Sequence, residues 1–94
     1  MAEVGALKPL FERYGLKAWF YSDDHEPAHF MVKRGGQWAF KIHFLNDPED
    51  MLERDPHSRL RDEISARDRR RITDATVEKR AEILGEWERI HKDD

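Results

Sequence analysis

The chain predicts an α+β fold, a three-stranded antiparallel meander packed by a C-terminal helix and preceded by a short N-terminal helix. Three observations lead there. All five Phe and two of the three Trp fall within residues 1–46, so the core is founded in the first half. Two turn signals, a polar Pro-marked stretch over 23–27 and Gly35-Gly36, divide one aromatic-rich region into runs of strand length. Near the end, Val77, Ala81, Leu84, Trp87 and Ile90 recur at helical spacing.

At 94 residues the chain is expected to be a single domain with a small core. Its first element is a short helix over 6–14, where Leu7, Leu10, Phe11 and Tyr14 share a face. Pro9 fits only in the first turn, and Gly15 is suited to the left-handed residue that closes a helix. Leu16 to Ser22 is aromatic-rich and too short for a helix, which makes it the first strand. The second runs from about Ala28 to Arg34 and the third from about Gln37 to Phe44.

Side-chain parity fixes the faces of this sheet, because opposed residues in a hairpin point the same way. A 23–27 loop sets Phe20 opposite Phe30, Ala18 opposite Val32, Trp19 opposite Met31 and Tyr21 opposite His29. At the second turn a two-residue loop would set Phe30 opposite Lys41, mixing apolar with charged. A three-residue loop, Arg34-Gly35-Gly36, instead sets Val32 opposite Trp38 and Phe30 opposite Phe40. One face then carries Leu16, Ala18, Phe20, Phe30, Val32, Trp38, Phe40, Ile42 and Phe44 and is the expected core. The other carries Lys17, Trp19, Tyr21, His29, Met31, Lys33, Ala39, Lys41 and His43, an aromatic and basic set.

Composition changes after Asn46. Residues 1–46 hold six Lys/Arg and five Asp/Glu, whereas residues 47–94 hold eleven and fifteen, giving formal charges of +1 and −4. Asp47-Pro48-Glu49-Asp50 has the form of a helix start, with a capping Asp and Pro at the first position, so a short helical turn through Arg54 is expected. From Ser58 to Arg71 only Leu60, Ile64 and Ala66 are apolar, and 47–72 reads as a charged, partly helical connection. Thr73 or Asp74 caps the last helix, about 75–92, in which Ile83 broadens the apolar stripe and Gly85 marks a close approach to the sheet.

Several function classes are excluded or disfavoured at this level. Zero Cys removes disulfides, thiolate zinc sites and a Cys nucleophile, and fits a reducing cytoplasm. No long apolar run is present, so neither a signal peptide nor a membrane span is expected, and a cytoplasmic location follows. A net charge of −3 gives no global attraction to nucleic acid or anionic membrane.

The plan of the chain resembles the bacterial and archaeal family called domain of unknown function 4160. The residues that carry the resemblance are Trp19-Phe20-Tyr21, then Asp24-His25-Glu26-Pro27-Ala28-His29-Phe30-Met31-Val32, then Gly35-Gly36, and finally Leu84, Trp87 and His91. Family members have a His-x-Pro-Pro-His-Phe-His-Val turn; Ala28 replaces the second Pro here and Met31 the third His. The resemblance covers 15–44 and 74–92. It implies a small prokaryotic protein of uncharacterised activity, sometimes encoded in pairs that look like toxin–antitoxin modules.

The leading expectation is a protein-interaction module, since a Trp/Tyr/Met patch has the composition of an interface centre. Its binding face would comprise Lys17, Trp19, Tyr21, His29, Met31, Lys33, Lys41 and His43, and its partner a cognate protein or a second copy. Single-stranded RNA on the same face is the alternative, with aromatics stacking bases and lysines holding phosphates. The enzyme alternative places acid/base chemistry on His29 with His43 or Tyr21, in a nuclease-like reaction. No cofactor is expected beyond a divalent metal held by His25, His29 and Asp24, with Asp23 or Glu26 as other oxygen ligands. The basic run Arg67-Asp68-Arg69-Arg70-Arg71 reads as a solvated or salt-bridged face.

Overall fold

The computed structural model describes residues 3–4, 7–21 and 25–91. Its elements run β1 (Glu3–Val4), α1 (Lys8–Phe11), β2 (Lys17–Tyr21), β3 (Phe30–Arg34), β4 (Trp38–Ile42), β5 (Leu52–Arg54), α2 (Ala66–Glu78) and α3 (Arg80–His91). The strands form one antiparallel sheet in sequence order, a meander in which each strand pairs with its chain neighbour. Four strands form its body, and the two-residue β1 adds to its outer edge.

The expected helix at 6–14 is a short α-helix, Lys8–Phe11, that tightens into a 3-10 turn over Glu12–Tyr14, with Pro9 in its first turn. Gly15 ends it at φ 76°, its N–H donating to the Glu12 carbonyl at 3.0 Å. A side chain is disfavoured at that φ.

The first hairpin has the expected register, with Ala18 opposite Val32 and Trp19 opposite Met31. The second is displaced. Val32 lies opposite Phe40 rather than Trp38, and Phe30 opposite Ile42 rather than Phe40. The turn is Gly35-Gly36-Gln37, closed by the Gln37 N–H on the Arg34 carbonyl at 2.9 Å, with Gly35 at φ 47°. Both turns are three residues long, so the ladder slips by a whole pair and each side chain keeps its face. The register changes while the faces do not.

All nine residues assigned to the core face join one buried cluster with Leu7, Phe11, Met51, Ile72, Ile83 and Trp87. Phe30 is central, with its ring 5.7 Å from Phe11, 6.3 Å from Phe20 and 6.2 Å from Phe44. The buried apolar residues of all three helices belong to this cluster, which puts the helices on one side of the sheet.

The second half differs most from expectation. Pro48–Asp50 is a single 3-10 turn, and Asp47 makes no side-chain cap. The chain then continues as β5 rather than as helix. The His43 N–H donates to the Met51 carbonyl at 2.7 Å, drawing 52–54 against β4 with Ile42 opposite Leu52 and Phe40 opposite Arg54. The Arg54 guanidinium lies 5.0 Å over the Phe40 ring. A fourth strand thus replaces the expected helical turn.

The last helix is likewise two helices. Ser65, not Thr73 or Asp74, caps α2, its hydroxyl accepting from the Asp68 N–H at 3.0 Å. Thr73 Oγ1 donates instead to the Arg70 carbonyl at 3.1 Å within the helix. The chain breaks at Lys79, and the inward residues are Ile72, Thr76, Ile83 and Trp87, flanked by half-buried Leu84 and Ile90, while Val77 and Ala81 of the expected stripe are exposed. Arg80 ties the start of α3 to the sheet through the Phe44 carbonyl at 2.8 Å and the Asn46 carbonyl at 3.1 Å. Gly85 is exposed, and a Cβ there meets nothing within 4 Å, so it does not mark a close approach to the sheet. No helix among the described residues is long and apolar enough to cross a membrane.

Candidate functional site

The face of the sheet opposite the helices has two layers. Trp19, Met31 and Ala39 form its floor, 6%, 4% and 6% exposed, yet none of them belongs to the main core cluster. Side chains of the same face cover Trp19. Tyr21 meets Trp19 edge to face at 5.9 Å, and the Lys17 ammonium sits 5.2 Å over the Trp19 ring. The lysine stems supply apolar cover while their charges stay outward. Trp19 Nε1 is buried with no hydrogen-bond partner among the described residues. Lys17 stands directly opposite Lys33, and Lys41 lies between Met31 and Glu53, so the outer layer carries three lysines and one carboxylate.

At one end of this face a string of rings reaches toward α3. His29 is buried, its Nδ1–H donating to the Pro27 carbonyl at 2.9 Å. Its ring lies 5.8 Å from His43 and 6.0 Å from Trp87. Trp87 in turn stacks on His91 at 3.8 Å, and His91 Nδ1–H donates to the Trp87 carbonyl at 2.8 Å. His43 Nε2 donates to Glu53 Oε1 at 2.8 Å. That hydrogen bond holds the Glu53 carboxyl below its ordinary value, outweighing the opposing effect of burial, with the charges of His43, Lys41 and His29 adding smaller lowering effects.

The expected site residues therefore separate. Trp19 and Met31 are floor, Tyr21, Lys33, Lys41 and His43 are half-buried, and Lys17 is exposed. His29 and His43 are neighbours, as acid/base chemistry would require, and Glu53 orients His43. Tyr21 is in ring contact with Trp19 rather than with either histidine. His25 is exposed, and its proposed co-ligands Asp23 and Asp24 lie outside the described residues. Among the described residues no group of three His, Asp or Glu is placed to hold a metal ion.

Two features were not expected from the sequence. Glu53 enters the face because β5 is a strand. Asp68, central in the basic run, is buried and accepts both Arg34 Nε and Nη2, at 2.8 and 2.9 Å. Arg34 also donates to the Tyr14 carbonyl at 2.8 Å, so one guanidinium ties β3, the end of α1 and α2 together.

The family described as domain of unknown function (DUF4160) matches residues 15–88. The chain belongs to that family. The match contains β2 to β5, α2 and most of α3, including the 47–72 connection that the motifs alone leave out; β1 and His91 lie beyond it. No curated protein and no solved structure matches.

Proposed function

We propose that the protein is a protein-interaction module that presents the face of its sheet opposite the helices to an acidic surface of a cognate protein, in the manner of one member of a toxin–antitoxin-like pair. The observation that carries this reading is the division of labour across the sheet. Every buried apolar helix residue packs on one face, while the other holds a rigid Trp19/Met31/Ala39 floor under Tyr21 and three lysines. An aromatic held in place by its neighbours loses little freedom on binding, and Tyr is enriched at interface centres. Lys17, Lys33 and Lys41 place three positive charges on this face, which an acidic partner surface would complement.

The lysine opposition also favours a second reading, single-stranded RNA on the same face with bases against Tyr21. One experiment separates the two. Tagged protein and a Tyr21→Ala/Lys41→Glu variant are purified from the native host with and without ribonuclease. A single stoichiometric protein that survives ribonuclease and is lost with the variant supports the interaction reading. Recovery of RNA without such a protein supports the alternative, and identical recoveries for both proteins contradict both readings.

A further inference from the structure

A second candidate surface lies away from the sheet face. Between the α1 segment and α2 runs a groove of about 850 Å³. Its charge is graded along α2. Arg13, Arg67, Arg70 and Arg71 line one end, and Asp74, Glu78 and Lys79 the other. Pro9, Leu10 and Ala75 contribute an apolar strip between them.

The basic end is held in place by more than exposure. Tyr14 is clasped between two guanidinium groups, with Arg13 Cζ at 4.8 Å and Arg71 Cζ at 4.7 Å from its ring centroid. Arg13 Nη2 donates to the Tyr14 hydroxyl at 2.7 Å, and the Tyr14 carbonyl is anchored by Arg34. The acid that would neutralise this end, Asp68, is occupied by Arg34, and Arg71 reaches it only at 4.0 Å. Arg67 and Arg70 make no ion pair with another described residue. The first turn of α2 adds the positive end of its dipole.

From these features we infer that the groove binds an acidic peptide segment of a partner protein, with carboxylates on the Arg13/Arg67/Arg70/Arg71 end and apolar side chains on Pro9, Leu10 and Ala75. Guanidinium groups take carboxylates in paired hydrogen bonds. From Ala66 to Lys79 the groove follows α2 for roughly 20 Å at ~1.5 Å per residue. That length holds about six extended residues at ~3.3 Å each. A nucleic-acid strand would carry a phosphate at every step and meet Asp74 and Glu78, whereas a peptide acidic at one end and basic at the other matches the gradient.

Fluorescence anisotropy with the labelled peptide Asp-Glu-Asp-Leu-Leu-Lys tests this. Saturable binding is expected, weakened about tenfold or more when Asn and Gln replace the acids or Ser replaces the leucines. Arg67→Glu/Arg70→Glu, both exposed positions, should weaken the acidic peptide to a similar degree without changing the circular dichroism spectrum. Asp74→Lys/Glu78→Lys should admit a six-nucleotide oligouridylate that the native groove binds more weakly than the peptide. The inference is overturned by absence of saturation at millimolar protein, by indifference to the arginine changes, or by tighter binding of the oligouridylate to the native protein. No residue of the sheet face takes part, so either result leaves that reading to its own test.

Discussion

The two faces of the sheet are built from alternating residues of the same strands, yet they are held by different physics. The helix-side face is apolar except at its edge, where Arg34 and Arg54 stand, and its rings interlock with Leu7, Phe11, Ile72, Ile83 and Trp87. The opposite face buries only a few residues, under side chains that keep their charges in water. Stability is therefore concentrated on one face, and chemical variety is left to the other. A substitution should report which face it touches by the size of its effect.

The largest contrast is between Phe30→Ala and Tyr21→Ala. Phe30 is fully buried among three other rings, so its loss should cost about 3 to 5 kcal/mol in urea unfolding. Tyr21 is half-buried and loses mainly its contact with Trp19, about 1 kcal/mol. Similar costs would erase the distinction between the faces.

Next comes the polar edge of the helix-side face. Asp68→Ala strands Arg34, whose side chain is 27% exposed, and should cost about 3 kcal/mol, the low end for breaking a buried pair. Loss of less than about 1 kcal/mol would show that packing alone docks α2. Gly85→Ala sharpens the picture in the opposite direction. A methyl group there enters open space on an exposed helix position, so unfolding free energy should rise by about 0.5 to 1 kcal/mol. Destabilisation would mean that something approaches Gly85 after all.

The smallest effect belongs to the opposite face and depends on pH. The His43 hydrogen bond lowers the Glu53 carboxyl from its ordinary value of 4.5. A depressed acid contributes stability above its unfolded value and loses it as pH falls through the folded one. A carboxyl-carbon titration by NMR should place the Glu53 midpoint below 4.5, and a His43→Ala variant should return it toward that value. A midpoint at or above the ordinary value would remove the pair from the site.

The sheet's faces were legible because parity survives any three-residue turn; the turn's position was not, since 34–36 and 35–37 both keep Phe30 and Val32 inward. β5 was hidden behind Asp47-Pro48, which looks like a helix start, and its pairing depends on the His43–Met51 hydrogen bond, a contact across the loop. The first half of α2 was hidden because Asp68, Ile72 and Thr76 are its inward residues, and a buried Asp makes sense only beside Arg34. The same blindness extends to the sites. Lys17, Lys33, Lys41 and the two histidines followed from alternation, whereas Glu53 needed the fourth strand. The clasp of Tyr14 by Arg13 and Arg71 needed α1 to meet α2.

The central claim is that one face keeps the fold and the other meets a partner. The double variant Lys17→Gln/Lys33→Gln, which leaves the Lys41–Glu53 opposition intact, tests it when partner recovery and thermal midpoint are measured on the same preparation. The expected result is a midpoint within a few degrees of the native protein, together with loss of the stoichiometric protein partner. Full retention of that partner by a folded variant would contradict the claim.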